Sequence, residues 1–132
     1  MIKKFLPLCI LMFFGCATFT DLRLLSKFDE VAESYKTAIS LEDFKMANSF
    51  MSKQNPKKEP VLLDKKFLKK IKITSYEVQN RKMHNGKLMV EQTVEIKYYN
   101  TDYLIEKVVD DNQIWIYESN SWSLSTGLPV FE

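Results

Sequence analysis

Residues 71–99, with the sequence IKITSYEVQNRKMHNGKLMVEQTVEIKYY, decide the fold of this chain. Two runs rich in β-branched and aromatic residues flank the turn formers His84-Asn85-Gly86, a pattern that predicts an antiparallel hairpin. The alternating apolar positions of the two strands share one face only if the loop has three residues, with Gly86 in a left-handed bulge conformation. This register predicts two cross-strand pairs, Tyr76 with Ile96 and Val78 with Val94.

The strand pattern continues towards the end of the sequence. Clusters of turn-forming residues separate the β-rich runs: Asn100-Thr101-Asp102, Asp110-Asp111-Asn112 and Ser119-Asn120-Ser121. The strands are predicted at 71–83, 87–99, 103–109, 113–118 and 122–125. A three-residue loop after Tyr99 would place Glu95 opposite Lys107 as an ion pair on the outer face. Successive hairpins of this kind form an antiparallel meander sheet.

Helical periodicity precedes the strands. Apolar residues recur at three- and four-residue steps from Asp21 to Ser40 and predict an amphipathic helix. Ser40, with an acid three positions later, is the predicted cap of a second helix that ends before Asn55-Pro56. A short third helix is predicted within Leu63 to Lys69. The fold class is therefore α+β, with N-terminal helices packed on a curved antiparallel sheet.

The N-terminal residues have the pattern of an export signal. Lys3 and Lys4 precede an apolar run of eleven residues, Phe5 to Gly15, and the segment Phe13-Phe14-Gly15-Cys16 ends in a small residue before a cysteine. It resembles the lipobox of bacterial lipoproteins. The resemblance implies cleavage after Gly15 and acyl chains on Cys16. The expected organisation is a signal peptide at 1–15, a lipidated tether at 16–20 and a single domain at 21–132.

An ordinary signal peptide and an uncleaved anchor are the alternatives to lipidation. The apolar stretch from Phe5 to Phe19 has fifteen residues, whereas a spanning helix needs about 20, so a permanent transmembrane anchor fits poorly. Cys9 lies in the segment to be removed, so the processed chain would have no free thiol and no disulfide. Ala17 in place of aspartate resembles the pattern sorted to the periplasmic face of the outer membrane in a diderm host.

Composition limits the function classes further. Removal of residues 1–15 leaves 117 residues, which is enough for one domain, and the loss of Lys3 and Lys4 makes the 17 basic residues equal to the 17 acidic ones. The chain has two arginines, Arg23 and Arg81. Neutral charge and few arginines oppose binding of nucleic acid. With 45% hydrophobic residues, the remainder is a folded domain rather than a disordered stalk.

The order of elements resembles the nuclear-transport-factor-two-like fold, a cone-shaped α+β domain found in small bacterial lipoproteins. Three segments carry the resemblance: Tyr35-Lys36-Thr37-Ala38, the helix-to-helix turn at 40–47, and the terminal hairpin at 115–124 with a tryptophan on each arm. The likeness covers roughly residues 27–131 and implies a pocket at the mouth of the cone. A cystatin-like helix wrapped by a sheet is the alternative fold. The candidate pocket residues are Tyr76, Tyr98, Glu106 and Trp115.

No convincing catalytic or metal-binding set is visible in the sequence. In the family that this chain resembles, the enzymes carry an Asp-His pair or several acids in the cone. Here His84 is the only histidine in the sequence, and it lies at a predicted hairpin tip. Asp110-Asp111-Asn112 lacks the remaining ligands of a calcium loop and fits a turn better. Glu106 alternates with apolar neighbours and is the acid most suited to burial. No cofactor and no metal are expected.

Three functional hypotheses follow. The preferred one is a non-catalytic module of the bacterial cell envelope, tethered to the membrane by its lipid, that binds an envelope protein or a small apolar ligand. The second is a small hydrolase or isomerase that uses carboxylates in the cone. The third is a structural envelope subunit that forms a homodimer through its sheet.

Overall fold

The computed structural model describes residues 16–52, 65–84 and 88–132. The helices are α1 (Cys16–Ser40), α2 (Phe44–Asn48) and α3 (Lys65–Leu68), and the strands are β1 (Ile71–His84), β2 (Met89–Asn100), β3 (Glu106–Glu118) and β4 (Ser121–Leu124). The strands form one antiparallel sheet in the order β1-β2-β3-β4. The α+β class and the meander are therefore confirmed. The predicted signal peptide, Asn55-Pro56 and the conformation of Gly86 lie outside the described residues.

Helix α1 already includes Cys16, five residues before the predicted Asp21, so its first described turns include the residues assigned to the tether. It ends in a hydrogen-bonded cap. Glu42 has a φ of 55°, and its N–H donates to Ile39 O while the N–H of Asp43 donates to Ala38 O. These two bonds satisfy carbonyl groups that the last turn of a helix leaves free.

The predicted cap of the second helix was wrong by three residues. Ser40 belongs to the last turn of α1. The N–H groups of Leu41 and Glu42 still bond to carbonyl groups of that turn, so neither residue can start the next helix. Asp43 is the first residue free to cap α2, and its side chain accepts a hydrogen bond of 3.1 Å from Met46 N. The third helix lies within its predicted range.

The β1–β2 register confirms both predicted pairs, Tyr76 with Ile96 and Val78 with Val94. The register shifts between Val78 and Asn80, so the extra residue lies inside β1, six to eight residues before the tip. A second shift lies between Ile73 and Ser75. Such bulges increase the local twist of a strand.

Strand β3 overturns the prediction of a turn at Asp110-Asp111-Asn112. These residues lie in the middle of one continuous strand, paired with Glu95, Val94 and Thr93 of β2. The β2–β3 loop has five residues, 101–105, with Leu104 at a φ of 53°. The longer loop shifts the register, so Glu95 faces Asp110, and Lys107 pairs with Tyr98 instead.

The core lies between α1 and the inner face of the sheet. Phe28 packs edge-on against Trp115 and Trp122, with ring centroids 5.9 and 5.2 Å apart, and Tyr35 packs against Trp115 at 5.3 Å. The predicted role of both tryptophans as core fillers is confirmed, since both are buried. These four aromatic side chains fill the space between α1 and the sheet, each burying a large apolar area.

The β3–β4 hairpin permits a stability prediction. Glu118 pairs with Ser121, and the two loop residues, Ser119 and Asn120, have φ values of 51° and 63°. Because a serine with positive φ is strained, Ser119→Gly is expected to raise the free energy of unfolding by about 0.5–1 kcal/mol, measured by urea denaturation. Ser121→Gly, a matched change within β4, should instead lower stability. Equal effects of the two changes would contradict this explanation.

Candidate functional site

A cluster of polar side chains is buried on the inner face of the sheet. Gln92 pairs with Gln113, and Asp111 pairs with Val94, so all three polar residues point towards α1. They are among the few buried polar residues in the described part of the chain. A buried polar group is costly unless it has hydrogen-bond partners, so the bonds within this cluster decide its stability.

Gln113 is the centre of the cluster. Its Oε1 accepts hydrogen bonds from Gln92 Nε2 at 2.7 Å and from Trp115 Nε1 at 3.0 Å. Its Nε2 donates to Asp111 Oδ2 at 2.8 Å and to the Tyr76 hydroxyl at 3.1 Å. The side-chain amide therefore uses both lone pairs and both protons, which fixes its orientation.

Arg81 extends the cluster to the surface. Its Nε donates to Gln92 Oε1 at 3.1 Å, and its Nη1 donates to Asp29 Oδ1 of α1 at 2.8 Å. The guanidinium carbon also lies 4.9 Å from the centre of the Phe28 ring. A continuous chain of hydrogen bonds thus joins an exposed carboxylate on the helix to the buried carboxyl of Asp111.

Two tyrosine hydroxyls lie next to Asp111. The Tyr35 side chain is fully buried, and its hydroxyl has no hydrogen-bond partner among the described residues. Burial raises its pKa well above the usual range, and the nearby Asp111 raises it further. Burial also raises the pKa of Tyr76. The hydrogen bond from Gln113 lowers this pKa, whereas the nearby Asp111 and Glu33 raise it further. Both hydroxyls are therefore protonated at any physiological pH.

Among the acids that the structure describes, Asp111 differs from the others because it is buried. Burial raises the pKa of Asp111 from its ordinary 3.8 to about 6, and the hydrogen bond from Gln113 limits the rise. Asp111 is therefore ionised above that pH and protonated below it.

The raised pKa predicts a pH dependence of stability. The folded state holds the Asp111 proton more tightly than the unfolded state, so its stabilising contribution is present below pH 3.8 and is lost as the pH rises through about 6. Asp111→Asn should remove about 1.4 kcal/mol of this dependence between pH 5 and pH 8, since the rest of the effect lies below pH 5. Urea denaturation at about pH 5 and about pH 8 measures it. An unchanged difference between the two pH values in the variant would refute the assignment.

A cleft of about 230 Å³ lies between α1 and β1, above this cluster. Its lining consists of Asp29, Ala32, Glu33, Lys36, Tyr76, Val78, Arg81 and Gln92. The cleft is small compared with the usual volume of drug-sized ligand pockets, about 300–1,000 Å³. Its dimensions and polar lining suit a small polar molecule.

The four candidate pocket residues do not form one site. Tyr76 and Trp115 meet through Gln113. Tyr98 is buried elsewhere, its ring 4.8 Å from that of Phe131 and its hydroxyl accepting a bond from Glu132 N. The expected burial of Glu106 was wrong, because its side chain is exposed and accepts a 3.3 Å bond from Thr74 Oγ1. The longer β2–β3 loop turns Glu106 to the outer face.

His84 lies at the end of β1, with Nε2 3.4 Å from Glu91 Oε1. Glu91 faces outwards, whereas the polar cluster faces inwards, so the two sites are separate. Within residues 16–52, 65–84 and 88–132, no group of three or more metal-ligating side chains comes together. The titratable groups at the buried cluster are the Asp111 carboxyl and the hydroxyls of Tyr35 and Tyr76.

A second notable surface is the β2–β3 loop. Tyr103, Leu104 and Ile105 are 72, 74 and 64% exposed, three consecutive large side chains in water. The base of the loop is held by an ion pair of 2.7 Å between Lys70 Nζ and Asp102 Oδ2. Adjacent exposed apolar residues of this kind are typical of contact surfaces.

No family model, curated protein or solved structure matches this chain. Among the described residues, no helix is both long enough and apolar enough to span a bilayer. What the site can do therefore has to follow from its own side chains and their geometry.

Proposed function

We propose that this chain is a lipid-anchored envelope protein with a nuclear-transport-factor-two-like domain, and that it binds a small polar ligand without catalysing a reaction. The observation that carries the proposal is the cleft between α1 and β1, lined by polar side chains over the hydrogen-bonded cluster of Gln113. The sequence predicts a small apolar ligand, but we propose a polar one. The reason is that aromatic side chains already fill the space between α1 and the sheet.

The lipid anchor is supported by the sequence before and at Cys16. The charged start, the apolar run and the small residue before the cysteine are the features that signal processing requires. Several acyl chains give a stable anchor, because each buried methylene contributes about 0.8 kcal/mol. Since α1 starts at Cys16, the helix that forms one wall of the cleft would also carry the lipid.

Native mass spectrometry of the lipidated protein, purified from its own envelope, tests ligand binding. Val78→Trp should displace a bound small molecule, because Val78 lies at the exposed rim of the cleft. Val108→Trp is the matched control, an exposed valine on the outer face. We expect a bound molecule in the native protein and in the control, and its loss from the cleft variant. The absence of any bound molecule, or equal retention by both variants, would refute the function.

Acid–base catalysis by Asp111 is the second candidate. A buried carboxyl with a pKa of about 6 is suited to proton transfer near neutral pH. Ligand binding is preferred because the nearest titratable neighbours are Tyr35 and Tyr76, both of which stay protonated, and no histidine contacts the carboxyl. Turnover of a ligand identified by mass spectrometry, abolished by Asp111→Asn, would favour the enzyme instead.

Assembly through the outer face of the sheet is disfavoured by its charges. Glu77, Glu95 and Asp110 lie side by side across β1, β2 and β3. A two-fold contact centred there would bring two acidic rows together, and like charges in direct opposition destabilise a contact. The exposed loop at Tyr103, Leu104 and Ile105 is the better surface for an envelope protein partner.

A further inference from the structure

We propose that the cleft recognises a protonated amino group, so that its ligand is a small molecule carrying one ammonium charge. This inference rests on the proposed function, because it names the class of ligand for the same cleft. The group would lie at the Tyr76 hydroxyl, between the Glu33 wall of the cleft and the buried Asp111.

The balance of charges around the cleft favours a monovalent cation. The cleft is lined by two acids and two bases, Asp29, Glu33, Lys36 and Arg81. Asp111 lies behind this lining and is joined to Tyr76 through Gln113. Three carboxylates against two cations leave one negative charge when Asp111 is ionised. Arg81 is already paired with Asp29 at 2.8 Å, and Lys36 can balance only one further acid. One ammonium group would neutralise the remainder, whereas an anion would be repelled by it.

The hydrogen-bonding groups match the same ligand class. The Tyr35 hydroxyl is completely buried near Asp111 and has no partner within the described part of the chain. Asp111 receives its bond from Gln113 at one oxygen, Oδ2. An orphaned buried hydroxyl is costly, so a group that supplies a partner gains affinity there. Carboxylate and hydroxyl oxygens are acceptors, and an ammonium group supplies three donors.

Aromatic side chains lie close to these acceptors. The Tyr35 ring lies edge-on to Trp115 at 5.3 Å, and Trp115 and Tyr76 both bond to Gln113. Arg81 already shows that a cation is accepted over an aromatic ring in this cluster, at Phe28. Carboxylates combined with aromatic rings are the usual means of recognising ammonium groups, since the ring face attracts positive charge.

Ethylammonium chloride and its neutral analogue, ethanol, test the ligand class directly. The full lipidated protein in detergent micelles is titrated at about pH 8, where Asp111 is ionised, at constant ionic strength. The readout is the NMR resonances of the Gln92 and Gln113 side-chain amides, which lie at the cluster. We expect saturable shifts with ethylammonium, with a dissociation constant on the order of 1 mM, and no saturable shift with ethanol. Equal shifts with both probes, or none with ethylammonium, would overturn the proposal.

Two neighbouring aspartates provide matched variants. Asp111→Asn should weaken ethylammonium binding at least about tenfold, the effect expected when a charged partner is lost. Asp110→Asn removes the same charge one residue away on the outer face and should leave binding unchanged. Glu33→Gln, at an exposed position, should weaken binding without altering the fold. If Asp110→Asn weakens binding as much as Asp111→Asn and Glu33→Gln do, the effect is not local and the proposal is wrong.

Failure of this inference and failure of the proposed function give different results. If ethylammonium does not bind but native mass spectrometry still detects a molecule that Val78→Trp displaces, the ligand class is wrong and the binding function stands. If neither experiment detects a ligand, both are wrong.

Discussion

Replacing Gln113 by leucine is expected to lower the free energy of unfolding by about 4 kcal/mol. Leucine has a similar volume, so the loss comes from hydrogen bonds rather than from a cavity. The change leaves the Gln92 amide, the Trp115 Nε1–H and the Asp111 carboxyl without the partner that now satisfies them. Each unsatisfied buried group costs about 1–3 kcal/mol. Urea denaturation followed by tryptophan fluorescence measures the change.

Thr93→Val is the matched control for this prediction. It also removes a side-chain hydrogen bond between β2 and β3, the 3.0 Å bond from Thr93 Oγ1 to Asn112 Oδ1, but on the outer face of the sheet. Water can replace that bond, so we expect a loss below about 1 kcal/mol. Similar losses for the two variants would mean that the buried cluster has no special weight in the stability of the fold.

Replacing Cys16 by serine is expected to abolish membrane attachment through the lipid. Serine offers no thiol for the thioether-linked acyl chain, so radiolabelled palmitate should not be incorporated and signal processing should stop. Gel autoradiography of cells grown with the label, together with membrane fractionation, measures both effects.

Cys9→Ser provides the control, because Cys9 lies in the segment that the lipobox resemblance assigns to the signal peptide. That variant should be labelled and retained in the membrane like the natural protein. Label and retention that persist after Cys16→Ser would rule out the proposed anchor.

Much of the fold followed from periodic patterns in the sequence. The stripe from Leu24 to Ile39 predicted α1, and the alternation around the first hairpin predicted the pairing of Tyr76 with Ile96. Patterns of this kind record which face of an element is buried, and burial of apolar side chains dominates folding. The predicted burial of Trp115 and Trp122 held for the same reason.

Tyr76 and Trp115 were among the predicted pocket residues, but the buried carboxyl of Asp111 was missed because the run before Gln113 also favours turns. Asp110-Asp111-Asn112 has strong local turn propensity, yet Val109, Asp111, Gln113 and Trp115 alternate onto the inner face of one strand. This alternation is the pattern of a strand with one buried face, but it places an acid and an amide at positions where apolar residues are expected. Their burial depends on partners such as Gln92 and Tyr76, which lie far away in the sequence and meet only in the folded sheet. Ser40 and Asp43 illustrate the same limit at short range, because the choice of cap depended on how α1 ends.

The uninterrupted course of α1 has a geometric consequence for an anchored protein. With acyl chains on Cys16, the helix would act as a rigid spacer, since each residue adds 1.5 Å along its axis. Asp29 and Lys36, at the two ends of the cleft wall, follow Cys16 by 13 and 20 residues, which sets the cleft roughly 20–30 Å along the spacer from the bilayer surface. When α1 stands along the bilayer normal, a ligand would be met at this height above the lipid headgroups, beyond the Debye length of about 8 Å within which their charges act.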